Sequence, residues 1–280
     1  VLSGCSTNAC LAVSYLGEQG ILVGTVGPDY HAALAADLDK RGIEHRLFPA
    51  DQTGGFSLIY DAAGNRELTI LGIAAPVPVT EYGFGAVDFV LLGPILGEIE
   101  PELVRQISNE TDAPILLDPQ GLLRGLKGED IVHELTDAFI NIAPISTIVK
   151  ANELETRIIT GIDPRQDPVA AVKALYSFGG KIAVTTLAEA GSIIYDGHNI
   201  VEIPPFTTNA IDPTGAGDTY AAGFMTKYLE TPQDLSAVGC FASAVSSVMV
   251  ENSGPDFPLT RAEADRRQAY LLSRPQKIAL

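Results

Sequence analysis

The sequence predicts an α/β fold in which a mostly parallel central sheet is covered by helices on both faces, a three-layer sandwich. Three observations carry that prediction. Short apolar or β-branched runs alternate with segments of helical periodicity along most of the chain, the pattern of strands buried on both faces. The 280 residues, 46% hydrophobic and 19% charged, suffice for one large core, so a single domain over 1–280 is expected. One pair of strand-like runs, 56–60 and 67–71, breaks the alternation as a β-hairpin, which predicts a small lid around 52–75.

In chain order, a helix is expected over 6–16, a strand over 21–26 and a helix over 30–41. After the hairpin and the Pro-rich Pro76-Val77-Pro78, strands at 89–92 and 115–117 flank a helix at 100–108. Strands at 148–150 and 182–186 enclose helices at 153–160 and 168–178. Three helices follow, at 218–229, 232–250 and 261–272. In the first, Ala221, Phe224, Met225, Tyr228 and Leu229 have the i, i+3, i+4, i+7, i+8 spacing of one buried face. In the second, Val238, Phe241, Val245 and Val248 are expected in the core. Thr231 with Pro232 and Asp234 supplies a cap, a first-turn proline and an acid for that helix, and Thr260 with Glu263 has capping-box spacing for the last.

The net charge of −17 argues against a nucleic-acid or anionic-membrane partner, because such surfaces need clustered Lys and Arg to displace counterions. No apolar run reaches the ~20 residues that cross a bilayer, and no secretory leader pattern is present. Cys5, Cys10 and Cys240 are odd in number and lack metal-type spacing, which suits reduced thiols. A cytoplasmic protein is expected.

The segment richest in chemistry is Ile211-Asp212-Pro213-Thr214-Gly215-Ala216-Gly217-Asp218, which opens onto a helix of small residues. Successive glycines let backbone N–H groups turn toward one point, and a helix N-terminus adds unpaired donors with partial positive charge. A phosphate fits there, with Asp218 in the first helical turn. Each piece alone is also compatible with architecture, since Asp caps helices and Asp-Pro-Thr-Gly is ordinary turn chemistry. Asn152 and Glu155 likewise have the spacing of a capping box.

Taken whole, Asp212 to Asp218 and the helix behind it resemble the hallmark of the ribokinase-like carbohydrate kinases, the PfkB family. Other pieces agree with that family in order. Gly4-Cys5-Ser6-Thr7-Asn8 and Val23-Gly24-Thr25-Val26-Gly27-Pro28-Asp29 are similar to its N-terminal sugar-site segment, with Ser3 in place of a usual glycine. Lys150-Ala151-Asn152-Glu153-Leu154-Glu155 is similar to its Asn-x-x-Glu motif. Val184-Thr185-Thr186-Leu187-Ala188-Glu189-Ala190-Gly191 is similar to its nucleotide-side strand and loop, with Ala188 where glycine is usual. Asp118-Pro119-Gln120-Gly121 looks like the inositol-kinase branch.

The resemblance implies a ribokinase-like fold and ATP-dependent phosphoryl transfer to a hydroxyl of a small sugar or cyclitol, myo-inositol being a candidate. It implies Asp218 as general base and the N–H groups of Gly215, Ala216 and Gly217 as an anion hole. Glu155 would hold Mg²⁺ through water, Asn152 would order the phosphate region, and Lys150 would reach a phosphate. Asp212 would hold a monovalent cation, K⁺ being the candidate. Thr186, Gly191, Ser243 and Gly254 would face the nucleotide, and Gly4, Asn8, Asp29 and Gln120 the acceptor. Asp29 reads equally as a loop acid, and Asp118 with Arg124 equally as a structural ion pair. The family normally has a strand and an acidic residue upstream of the Gly4 segment, so that strand is expected to be missing here. Lid strands in the family sometimes pair between subunits, which implies a homodimer. The alternatives are a nucleoside kinase of the adenosine type and a catalytically silent nucleotide- or sugar-binding relative.

Overall fold

The computed structural model describes residues 4–60, 66–80, 82–83, 87–128, 130–274 and 277–279. The chain begins with α1 (Cys5–Tyr15), β1 (Ile21–Val26), α2 (His31–Lys40) and β2 (Glu44–Pro49). β1 and β2 pair in parallel, from Ile21 opposite Glu44 to Val26 opposite Pro49. The expected hairpin follows as β3 (Gly55–Tyr60) and β4 (Arg66–Gly72), antiparallel with Phe56 opposite Ile70. Its turn at 61–65 lies outside the described residues. Next come β5 (Val90–Leu92), α3 (Pro101–Glu110), β6 (Ile115–Leu117), a tight turn at Gln120–Leu123, β7 (Arg124–Lys127), β8 (Asp130–His133) and α4 (Asp137–Ile142). The second half contains β9 (Ile148–Asn152), α5 (Glu153–Thr160), α6 (Pro168–Tyr176), β10 (Ile182–Thr186), β11 (Ser192–Tyr195) and β12 (Ile200–Ile203). It ends in α7 (Ala216–Glu230), α8 (Leu235–Val250), α9 (Arg261–Leu272) and β13 (Lys277–Ala279).

Among the described residues, seven strands form the main sheet in the order β13-β12-β11-β10-β9-β6-β5. Its heart, β5, β6, β9 and β10, is parallel, and β11, β12 and β13 extend one edge antiparallel. Successive residues of the parallel strands point to opposite faces. Leu116, Ile148, Ile182 and Val184 pack with Tyr220 and Phe224 of α7 and Val238 of α8. Their neighbours Leu117, Val149 and Ala183 pack with Leu103 and Val104 of α3, Ile142 of α4 and Val172 of α6. This is the three-layer arrangement that the alternating runs predicted. Val238, Phe241, Val245 and Val248 are core residues, each 2% exposed or less. Among the described residues no helix is long and apolar enough to cross a membrane.

Several elements differ from the sequence reading. α7 has no single apolar face in its first half: residues Thr219 to Thr226 are all buried, while Leu229 is 48% exposed. The cause is position, since α7 is packed against α1 and α8 as well as the sheet. α8 starts at Leu235 rather than Pro232, because Asp234 is its cap, its Oδ1 accepting from the Ala237 N–H at 2.9 Å. Thr231 belongs to the preceding helix end, its N–H donating to the Lys227 carbonyl at 3.0 Å. Thr260 does cap α9, accepting from Glu263 N–H at 3.2 Å, but the Glu263 carboxylate turns to Arg266 and Arg267 instead of closing a box.

Candidate active site

The parallel strands β6, β9 and β10 end at one edge of the sheet, where α7 also begins, the place where open α/β sheets bind ligands. Gly215 caps α7 with φ +86°, the left-handed region that favours glycine. A Cβ on it would sit 3.1 Å from both Asn8 Nδ2 and Met249 Cε. A Cβ on Gly217 would lie 2.8 Å from Lys150 Nζ, so the helix mouth closes on a buried lysine only because no side chain intervenes. The amides here are not all equivalent. Ala216 N–H donates to the Pro213 carbonyl at 3.1 Å and closes the turn. Those of Gly215, Gly217 and Asp218 have no acceptor among the described residues. The open donors are therefore Gly215, Gly217 and Asp218, rather than the run including Ala216 that the motif implied.

Asp218 is the third residue of α7 and stays partly accessible through the cleft. Its Oδ2 accepts from Asn8 Nδ2 at 2.8 Å. Desolvation raises its pKa above the ordinary carboxylate value, the Asp118 charge adds to this, and Asn8 and Lys150 oppose it. The Cys5 sulfur and the carboxylate oxygens of Asp118 and Asp218 all lie within 4.8 Å of one another. Burial, then the charges of Asp218 and Asp118, push the Cys5 thiol well up, so it stays protonated. A Cβ on Gly93 would overlap that sulfur.

Beneath this group, Lys150 Nζ meets Asp118 Oδ2 at 2.6 Å, both side chains 3% exposed. Strand register makes the pair: Leu117 lies opposite Val149, and one residue further along both strands stand Asp118 and Lys150. Burial works to lower the Lys150 pKa, but Asp118 and Glu155 more than offset it and keep the ammonium charged. The buried partner of Asp118 is thus Lys150. Arg124 donates to the Ile95 carbonyl at 2.7 Å and to Gln120 Oε1 at 3.3 Å, and its guanidinium lies 5.1 Å from the centre of the Phe56 ring on β3.

Asn152 and Glu155 form the full capping box of α5. Glu155 N–H donates to Asn152 Oδ1 at 3.0 Å, and Asn152 N–H donates to Glu155 Oε2 at 2.8 Å. Asn152 Nδ2 reaches the other carboxylate oxygen at 2.7 Å. Desolvation and the Asp118 charge push Glu155 up to about 7. Asp118, Asp218 and Glu155 thus all act on the Lys150 ammonium, and Arg124 acts on Glu155 as well. Hard carboxylate oxygens short of countercharge fit a divalent cation such as Mg²⁺, and the occupied Glu155 oxygens fit a water-mediated contact to it.

One cleft is lined by Gly4, Asn8, Asp29 and Gln120, by Thr186, Gly191 and Ser243, and by Lys150, Asn152, Glu155 and Gly215 to Asp218. Asp29 accepts from the Thr53 hydroxyl at 2.8 Å, tying its loop to the residues that lead into β3. Asp212 and Gly254 lie outside this lining. Asp212 accepts from Thr214 N–H at 2.9 Å and from the Ser253 hydroxyl at 3.1 Å. Desolvation acts to raise its pKa, but these bonds outweigh it and hold Asp212 ionised below the usual range. Sequence reasoning missed Cys5, and it missed Asp118 as the partner of Lys150. The signal for the latter was a charge at the end of each of two adjacent strands.

Residues 2–262 match the family described as pfkB family carbohydrate kinase. A cytidine kinase of Thermococcus kodakarensis is 28% identical over 236 residues, covering 81% of this chain and 78% of that one. A ribokinase of Bacillus subtilis is 28% identical over 263 residues, covering 91% and 83%. Among solved structures, a pyrophosphate-dependent myo-inositol-1 kinase converted into a myo-inositol-3 kinase superposes with a TM-score of 0.80 at 22% identity, covering 95% and 90%. With its ribokinase-like α/β fold and a family match across nearly its whole length, this chain belongs to the pfkB family of carbohydrate kinases.

Proposed function

We propose that the chain transfers the terminal phosphoryl group of ATP to a hydroxyl of a small sugar or cyclitol, a myo-inositol-like ring being the candidate. The observation that carries this reading is Asp218, held by Asn8 beside the open amides of Gly215 and Gly217 and facing the cleft. Asp218 takes the acceptor hydroxyl proton as that oxygen attacks the phosphorus, and its raised pKa makes it a stronger base than a solvated carboxylate. The amides and the α7 dipole stabilise charge growing on the transferring oxygens. Glu155 would hold Mg²⁺ through water, and the bound ion would supply countercharge to the nucleotide phosphates. Lys150 holds positive charge beneath Gly217, and Asp212 is the proposed holder of K⁺ beside the loop.

ATP is favoured over pyrophosphate by the character of the cleft wall. The basic residues lining it, among the described residues, are Arg124 and Lys150, and both are already engaged. Near Ser243 the wall carries Phe206, Thr207, Pro213, Ser246 and Val250, hydroxyl and apolar groups suited to a nucleoside. A bare pyrophosphate would need cations there instead. At the acceptor end, Asn8, Asp29 and Gln120 supply donors and acceptors in fixed directions for a polyol.

A nucleoside acceptor is the second reading, favoured by Leu22, Leu34 and Leu47 on the cleft wall, which could face a base. A homodimer through the lid is also proposed, with Leu71, 72% exposed on β4, as a contact residue. ADP release from ATP and Mg²⁺ across sugars, inositols and nucleosides, with pyrophosphate as a competing donor, tests the assignment. Turnover with a cyclitol or sugar is expected. Turnover with nucleosides alone would replace the acceptor, and nucleotide binding with no turnover on any acceptor would make the chain a silent relative.

A further inference from the structure

We propose that Arg165 is a positioning residue for the donor, its charge cancelling two carboxylates that would otherwise face the nucleotide phosphates. This rests on the reading of ATP as donor. Arg165 lies between α5 and α6. Its Nη2 meets Glu153 Oε1 at 2.7 Å and its Nη1 meets Glu189 Oε1 at 2.9 Å. The two acids come from different elements. Glu153 is the first residue of α5, next to Asn152, and Glu189 lies in the turn between Thr186 and Gly191. Both line the cleft, on the stretch assigned to the donor.

The turn that carries Glu189 is under constraint. Ala188 has φ +46°, the one non-glycine residue with positive φ among those described. The turn is closed by Leu187 N–H donating to the Gly191 carbonyl at 2.7 Å, and Arg165 ties its outer acid to the start of α5. The hydrogen bonds to Glu153 and Glu189 hold the Arg165 guanidinium above its usual pKa, and the same bond holds Glu189 below the usual carboxylate range. Glu189 therefore stays ionised, and the Glu153 carboxylate is paired beside it, at the edge of a site that must accept a polyanion. Without Arg165, two uncompensated negative charges would stand within reach of the incoming phosphates, and salt would screen the repulsion. Arg165 is 36% exposed and Glu189 80%, so the pairs contribute little to folding and their loss leaves a folded enzyme to measure.

The test compares Arg165→Ala with the wild-type chain at low and high concentrations of tetramethylammonium chloride. The donor KM is expected to rise about three- to tenfold at low salt, with kcat and the acceptor KM within about twofold, and the gap to shrink at high salt. Adding Glu153→Gln and Glu189→Gln to Arg165→Ala is expected to restore the donor KM. A donor KM unchanged in Arg165→Ala, or one still raised in the triple variant, overturns the proposal while leaving ATP as donor. A wild-type chain that does not consume ATP overturns the donor reading, and this proposal with it.

Discussion

Asp218 combines a functional gain with a cost to the fold. Its folded-state pKa is raised, so the native chain binds its proton more tightly than the unfolded one. Stability contributed by the protonated form is fully present below the unfolded carboxylate pKa, about 3.9, and is lost as pH rises through the folded value. Asp218→Asn should therefore raise the melting temperature at neutral pH and flatten this part of the decline; differential scanning calorimetry from pH 4 upward reads both. Lys150 is the opposite case. Lys150→Met would leave Asp118 buried without its partner, and a loss of about 3–5 kcal/mol in a denaturant titration is expected. Asp218 was legible in the sequence because glycines, cap and acid are contiguous. The Asp118–Lys150 contact was not, because it depends on which strands become neighbours and in what register.

At the scale of elements, local signals were read well where a helix or strand writes its own boundaries. α5, α9, β1, β6 and β10 have the ends their patterns gave. α8 shows what goes wrong when two caps compete within one turn. Asp234 holds the Ala237 amide, so Asp234→Ala should cost about 1 kcal/mol, and Thr231→Ala distinctly less; urea midpoints of the two variants check the order. β11 and β12 were missed although Asp196 and Gly197 mark the turn between two short apolar runs. α4 has only six residues and left too little periodicity to see. The loop after β10 carries a sharper test. Gly191 has φ +91° and its missing Cβ would overlap the Ile203 carbonyl, so Gly191→Ala should destabilise by about 2 kcal/mol or more and disturb the donor loop together. Thermal melts and donor KM should move in parallel.

For the whole molecule, the sheet brings three strand ends and one helix start to a single edge, which is why motifs scattered from Gly4 to Ser243 converge on one cleft. Order along the chain made that convergence legible; the identity of the acceptor was not, because side chains from β3, α1 and the turn after β6 meet on the cleft wall only in the folded chain. Charge narrows it. Asp29, Glu98, Asp118, Glu153, Glu155, Glu189 and Asp218 line the cleft against Arg124 and Lys150, a balance that disfavours an anionic acceptor. Neutral sugars or cyclitols should accordingly be better acceptors than their phosphorylated forms, measured as kcat/KM for matched pairs. The central claim, that Asp218 removes the acceptor proton at an amide-lined phosphate site, is tested most directly by single-acceptor turnover of Asp218→Asn beside nucleotide affinity measured by calorimetry. Turnover about 10²–10⁴-fold lower with nearly unchanged affinity is the result expected. Turnover close to that of the unaltered chain would contradict it.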